Sequence, residues 1–365
     1  MKTLIAFLLS VIASHAAEVR IESIPEGGMQ PQVALDASGT THLIYLKGAP
    51  KGSNVRYVRR AKGVREWSAP VTVNSESESA VAMGTIRGAQ FAFGKGGMLH
   101  VVWNGAMRPD GGHGSPLYYT RLDVGATKFA PQRNLLGEAS GLDGGASVTA
   151  DEKGAVYIVW HGQRGGGDGE AARVVFVLKS SDNGGTFAKP VVANAGTEGV
   201  CACCSLRALA TQDGLFTLYR AARTSAQRDM TLLASRDGGV TFRSQTLHPW
   251  KMNMCPMSSA ALLATPGGLR GAWETEGKVF TAPLDAPAAV ELGKGKHPVL
   301  AINAARETLA AWVVGTGWNK GGELAWVILD KTGKPTAQRG TASGIPVWSH
   351  AAAYAEPGGN FVILR

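Results

Sequence analysis

The chain has 365 residues, 37 Lys and Arg against 28 Asp and Glu, a formal charge of +9, 44% hydrophobic residues and 48 Gly. Such a composition buries a core within a turn-rich globular protein. The basic excess is scattered rather than collected into runs, which argues against a nucleic-acid surface, and beyond the N-terminus no segment reaches the roughly eighteen apolar residues a membrane span needs.

In chain order, residues 1–16 read MKTLIAFLLSVIASHA: a lysine, an apolar run from Leu4 to Ile12, then small residues with Ser14 and Ala16 before a cleavage point. This is the pattern of a secretory signal peptide, with an apolar run too short to span a bilayer. No cysteine follows it to carry a lipid anchor. The expectation is an exported monomer, secreted or periplasmic, with one domain over 17–365 and a charge of +8 once Lys2 is removed from the +9.

Short apolar runs then alternate with Gly, Asp and Asn turns, and one pattern recurs. Its copies are QVALDASGTTHLIYLKG (32–48), QFAFGKGGMLHVVWNG (90–105), SVTADEKGAVYIVWHG (147–162), ALATQDGLFTLYRA (208–221), ALLATPGGLRGAWETEG (261–277), VLAINAARETLAAWVVG (299–315) and the truncated AAYAEPGGNFVILR (352–365). Each is a two-strand hairpin. A third strand follows six of them, at 55–60, 117–122, 173–180, 229–235, 278–284 and 323–329, and a weaker fourth comes after each. Four-stranded antiparallel units recurring at roughly 40–60 residues are the blades of an all-β propeller. Seven blades are counted, or six if one short copy is misread. The two-strand last copy leaves an edge on which the strand-like EVRIESI of the mature N-terminus pairs to close the ring.

The first strand of each propeller blade lines the central channel, and the loop leading into it lies on the ligand-binding face. Cys201, Cys203 and Cys204 precede the first strand of repeat four, and Cys255, amid Met252, Met254 and Met257, precedes that of repeat five. His297 and His350 precede those of repeats six and seven. All four sulfurs therefore converge near the channel mouth. Three readings stay open: a disulfide from Cys203 or Cys204 to Cys255, favoured by an oxidising compartment; a soft-metal site in which thiolates with Met254, Met257 and His297 suit copper(I); or reduced core cysteines with methionine filler.

After the third strand, SSDNGGTF (180–187) and SRDGGVTF (235–242) both fit Ser-x-Asp-x-Gly-x-Thr-Phe, with LDVGATKF (122–129) a looser copy. In such a turn the Asp carboxylate accepts backbone N–H bonds and Gly supplies positive φ. The pattern resembles the Asp-box, or BNR repeat, of the sialidase-like propellers, over nearly the whole mature chain. The resemblance implies structural roles for Asp182 and Asp237, away from the active-site face. It also implies a glycan ligand, bound or hydrolysed by a glycoside hydrolase of sialidase type. Working exo-sialidases of that superfamily hold a carboxylate with three arginines, the first in a Phe/Tyr-Arg-Ile-Pro motif. Here VRIESIP departs from that motif, and the first-blade position reads MQPQVA.

Arginines remain at positions suited to a carboxylate: Arg87 leads into repeat two, and Arg220 ends an inner strand, with Arg223 and Arg228 beyond it. His161 opens a Gly-rich loop, and Trp318 and Trp348 offer faces for a sugar ring. Arg87, His161, Arg220 and Trp348 are expected to face one pocket. Candidate acid/base carboxylates are Asp168, Glu170, Glu198, Glu274 and Glu276, with no pair singled out. Two further readings compete with a glycan protein: a copper-binding protein built on the Cys/Met cluster, and a protein-interaction scaffold, since propellers host many functions.

Overall fold

The computed structural model describes residues 17–106, 115–136, 142–164, 169–285 and 288–365; the leader expected at 1–16 and the candidate Asp168 lie outside the described residues. Among these residues helix is confined to three short 3-10 turns, and no helix is long and apolar enough to cross a membrane.

Alternating apolar runs, interrupted by turn residues, form seven sheets around a ring. Blade 1 comprises Met29–Leu35, Thr41–Ala49, Gly52–Arg60 and Val71–Thr72; blade 2, Gln90–Phe93, Leu99–Asn104, Leu117–Leu122 and Arg133–Asn134; blade 3, Ser147–Ala150, Val156–Gln163, Arg173–Ser180 and Val191–Val192. Blade 4 comprises Arg207–Thr211, Gly214–Arg220, Met230–Ser235 and Arg243–His248; blade 5, Ala260–Thr265, Gly268–Thr275, Lys278–Pro283 and Val290–Lys294; blade 6, Lys296–Ile302, Thr308–Val314, Gly322–Leu329 and Pro335–Ile345. Each is a four-stranded sheet in chain order. The fold is thus the expected propeller, with seven blades rather than six.

Blade 7 contains only Ala352–Ala355, Phe361–Leu364 and the N-terminal strand Val19–Glu22. The N-terminal strand pairs in parallel with the second strand, Val19 opposite Phe361 and Glu22 opposite Leu364. The direction follows from topology. A strand feeding the first strand of blade 1 must run as a fourth strand does, and second and fourth strands of an antiparallel sheet point the same way. With the third position vacant, the two meet side by side. Arg60 of blade 1 donates to Glu22 at 3.0 Å, and Arg20 bridges Glu22 at 2.7 Å and Glu356 at 2.8 Å, tying the closing strand to both neighbours.

The core is not one mass but seven apolar seams, one between each adjacent pair of blades. Ile44, Tyr57, Phe91 and Trp103 fill the seam of blades 1 and 2, while Leu43, Tyr45, Tyr354 and Val362 fill that of blades 7 and 1. Inner strands are also stitched by side chains: the amides of Ala208 and Ala210 donate to Ser147 and Thr149 at 3.0 and 2.8 Å.

The two Ser-x-Asp-x-Gly-x-Thr-Phe turns repeat one hydrogen-bond set. Asp182 accepts from Thr186 N at 2.8 Å and from Ser180 Oγ at 2.7 Å; Asp237 accepts from Thr241 N at 2.9 Å and from Ser235 Oγ at 2.8 Å. These bonds hold both carboxyls below the usual carboxylate range: Ser180 contributes most at Asp182, and Thr241 at Asp237.

Ring closure through Val19–Glu22 generates a direct test. Deleting residues 18–25 is expected to lower the melting temperature of the whole domain by roughly 5–10 °C, because an edge and two seams lose their cover. An unchanged melting curve would show that the ring does not depend on this strand.

Candidate functional site at the propeller mouth

The loops leading into blades 2, 4, 5 and 6 enclose a cavity of about 240 Å³. Its wall is formed by Arg87, by Cys203, by Cys255 with Met257, by Lys296 with His297, and by Trp318 from the loop between the second and third strands of blade 6. Beneath it a space of about 20 Å³ shares Thr85, Ile86 and His297 and continues down the channel past Arg207 and His350. On the other side of Cys255 lies an open hollow of about 370 Å³ lined by Glu170, Arg228, Asn253 and Met254.

Close backbone approach builds this face. A Cβ on Gly144 would meet Cys204 O at 2.2 Å, and one on Gly145 would meet Ile86 O at 2.1 Å, so both positions accept only glycine. Gln30, Met257, His297 and Trp348, at the approaches to blades 1, 5, 6 and 7, hold left-handed φ of 52°, 47°, 56° and 59°. Left-handed backbone costs a non-glycine residue about 1–2 kcal/mol, and such strain gathers where a fold shapes a site.

The sulfurs converge as the blade order requires. Cys203 and Cys255 form a disulfide pair, with Cα atoms 6.4 Å apart across a separation of 52 residues. Closing a loop of that length stabilises the fold by about 4 kcal/mol in the chain-entropy picture. Cys201 and Cys204 are free and buried. Cys201 donates to Cys204 Sγ at 3.4 Å; this bond, with burial, pushes the Cys201 thiol up. At Cys204 burial opposes ionisation, but the bond from Cys201 and the nearby Arg220 charge outweigh it and lower the thiol.

Buried polar groups beneath the cysteines hold their loop. His161 Nε2 donates to Cys204 O at 2.9 Å, and its Nδ1 accepts from Arg173 Nη2 at 3.0 Å, which fixes the tautomer. Burial, and then the Arg173 charge, bring His161 down to about 4. Glu170 accepts from Ala202 N at 2.8 Å and pairs with Arg228 at 2.6 Å. Arg220 donates to Arg228 O at 2.7 Å, also reaches the Glu274 carbonyl, and lies 4.9 Å from the Trp250 ring. Its guanidinium and the Glu274 carboxylate, 3.9 Å apart, are both 1% exposed and link blades 4 and 5.

Of the four positions expected to face one pocket, Arg87 lines the cavity, whereas His161 and Arg220 lie buried below the cysteine loop. Trp348 stands beside the cavity and donates from Nε1 to Trp318 O at 2.5 Å. Met257 and His297 line the cavity, while Met254, 67% exposed, faces the outer hollow. Glu274 and Glu170 serve the ion pairs above, and Glu198 accepts from Gly196 N at 2.9 Å on the exterior. Asp182 and Asp237 lie in turns on the third strands of blades 3 and 4, outside all three spaces.

Arg207 and Lys296 escaped the sequence reading. Lys296 donates to Pro256 O at 2.6 Å, and Arg87 pairs with Asp143 while donating to Met83 O at 2.8 Å. Arg207 has no hydrogen-bond or ion-pair partner among the described residues. Burial pulls its guanidinium down to about 10, still charged at neutral pH. No carboxylate among the described residues lines the cavity or the channel space. Lys296 and Arg207 are cations there without a carboxylate partner among the described residues.

No protein-family profile matches the chain, and no curated protein matches its sequence. Solved structures do match its fold. An α-L-arabinanase from Penicillium chrysogenum, complexed with arabinobiose, aligns at 13% identity and a TM-score of 0.56, covering 87% of this chain and 98% of that one. An α-L-arabinofuranosidase from Fusarium graminearum aligns at 12% identity, TM-score 0.53, over 87% and 98%. A protein of unknown function from Dyadobacter fermentans aligns at 16%, TM-score 0.51, over 88% and 96%. At these identities the likeness is one of fold.

The sulfur geometry predicts that mass spectrometry of alkylated, non-reduced protein links Cys203 to Cys255, with Cys201 and Cys204 alkylated only after denaturation. A Cys201 or Cys204 disulfide to Cys255 would contradict it. The histidines predict acid lability. Burial, the largest cause in each case, holds His161, His350 and His100 at about 4 and His297 well below its ordinary value. The unfolded chain takes up those protons near pH 6.5, so their contribution is complete above about 6.5 and lost as pH falls toward about 4. The melting temperature is expected to fall across that window, and His350→Gln to flatten part of the slope. A melting temperature constant across the window would refute this.

Proposed function

We propose that this chain is an exported sialidase-like propeller that holds an acidic sugar at its channel mouth. The observation that carries the reading is the unpartnered Arg207 guanidinium beneath a cavity walled by Arg87, Lys296 and Trp318. A half-buried cation in the channel without a counter-ion favours an anionic occupant, a guanidinium fork suits a carboxylate, and an indole face suits a sugar ring. Two fold neighbours are named for action on arabinose-containing glycans, which supports carbohydrate as the ligand class. The two Asp-anchored turns support the sialidase-like assignment. Most glycoside hydrolases use two carboxylates, about 5–5.5 Å apart for retention or 6.5–9.5 Å for inversion, whereas sialidases use a Tyr nucleophile. The described cavity lining carries no carboxylate and VRIESIP departs from the arginine motif of working sialidases, which together favour binding as the reading.

A glycan array including uronic and sialic acids, with a panel of fluorogenic glycosides, tests it. Acidic glycans are expected to bind, neutral ones not, and no glycoside to turn over. Loss of a charge-assisted hydrogen bond removes about 1.5–3 kcal/mol, so Arg87→Ala and Arg207→Ala should each weaken binding roughly 10–100-fold. Silence across the array, or equal retention of neutral glycans, would sink the proposal.

A further inference from the structure

The disulfide uses two of the four clustered sulfurs and leaves the other two unexplained. Cys201 Sγ lies 3.4 Å from Cys204 Sγ and 3.5 Å from Cys203 Sγ. The three sulfurs sit within 4.8 Å of one another, and Cys255, bonded to Cys203, brings a fourth to the same point. Thiolates bound at about 2.3 Å to a tetrahedral metal stand about 3.8 Å apart. Three of the four sulfurs are already near that spacing, and the fourth, Cys255, is held beside them by its bond to Cys203.

Their frame is organised independently of any bond between them. Cys201 N donates to Arg220 O at 3.0 Å, Ala202 N to Glu170, and His161 to Cys204 O, so the loop is anchored on three sides. Ser258 N points at Cys204 Sγ from 3.5 Å. A backbone amide aimed at sulfur is the kind of outer contact that orients a thiolate ligand. Two buried guanidiniums, Arg220 and Arg228, border the cluster, and the Nε of each has no hydrogen-bond partner.

We propose that Cys201, Cys203, Cys204 and Cys255 form a redox-gated site for one soft d10 cation, zinc or copper(I). In the oxidised chain the Cys203–Cys255 bond withholds two ligands. A dithiol reductant passes two electrons and two protons to that bond; its S–S link breaks, the reductant closes its own disulfide, and four thiols result. On metal binding the four S–H protons leave to solvent as four metal–sulfur bonds form. Access fits this order. The cavity reaches Cys203 and Cys255, and the outer hollow reaches Cys255, whereas Cys201 and Cys204 are buried behind them. Met257 and His297 stand at the cavity wall, beside the four-sulfur group rather than within it. Cys203 and Cys255 share the cavity wall with the proposed sugar contacts Arg87 and Trp318, so the metal is titrated without glycan.

Cadmium is the probe, titrated into the full purified chain without glycan and followed by thiolate-to-cadmium ultraviolet absorbance, with circular dichroism reporting the fold. After reduction by a dithiol and its removal under nitrogen, one equivalent is expected to bind; the oxidised chain at the same concentration is expected to bind none. Cys201→Ser combined with Cys204→Ser keeps the disulfide. Its reduced form should lose at least the about 10–100-fold in affinity that removing an outer-shell partner alone costs. Cys255→Ser should lose as much. Equal uptake by oxidised and reduced chains overturns the proposal, as does full uptake by the folded double variant or loss of β-structure on reduction. Displacement of cadmium by zinc or by copper(I) identifies the native ion; displacement by neither also overturns it.

Discussion

Everything in this molecule depends on one parallel pairing, that of Val19–Glu22 with Phe361–Leu364. The core is divided among seven seams, each needing blades on both sides, so the seam of blades 7 and 1 is covered only when the ring closes. Four residues from one end of the chain complete the last blade and let the first lean on it. Arg60 makes the dependence explicit, since it contacts both Glu22 of the closing strand and Tyr354 of blade 7.

A closed ring then fixes what the mouth is made of. Loops leading into neighbouring blades must lie side by side, and here they bring sulfur, imidazole and guanidinium groups together above the channel. The groups divide by depth. Arg87, Lys296 and Trp318 border space that a ligand can fill. His161, Arg173, Arg220, Glu170 and Glu274 are engaged with one another and with the cysteine loop, and set its position instead. A face with an open cationic cavity thus rests on a dense polar layer rather than on apolar packing.

How much of this was legible depended on the kind of information each feature carries. Repeats with strand period and turn residues revealed seven blades, and blade order alone brought Cys255 to the Cys201–Cys204 loop. Direction was not legible: alternation marks EVRIESI as a strand without saying that it meets its partner in parallel. Depth was not legible either. Both faces of a propeller blade pack against neighbours, so His161 and Arg220, at the mouth ends of second strands, read as accessible although each is covered. Arg207 passed unnoticed for the opposite reason, as a lone cation next to the cysteines on a short apolar strand. Only the channel geometry shows it without a partner.

The placement of the disulfide has a mechanical consequence. Seven blades put the seam of blades 4 and 5 nearly opposite the seam of blades 7 and 1. One seam is crossed by the continuous chain, the Cys203–Cys255 bond and the Arg220–Glu274 pair. The other adjoins the joint of Val19–Glu22 with Phe361–Leu364, where the ring is held only by hydrogen bonds, ion pairs and apolar contact. The ring is therefore a clasp with a hinge. When it opens, the ends part first, and amides on blades 7 and 1 exchange with solvent ahead of those on blades 4 and 5. The mouth chemistry sits at the hinge, in the part of the molecule that moves last.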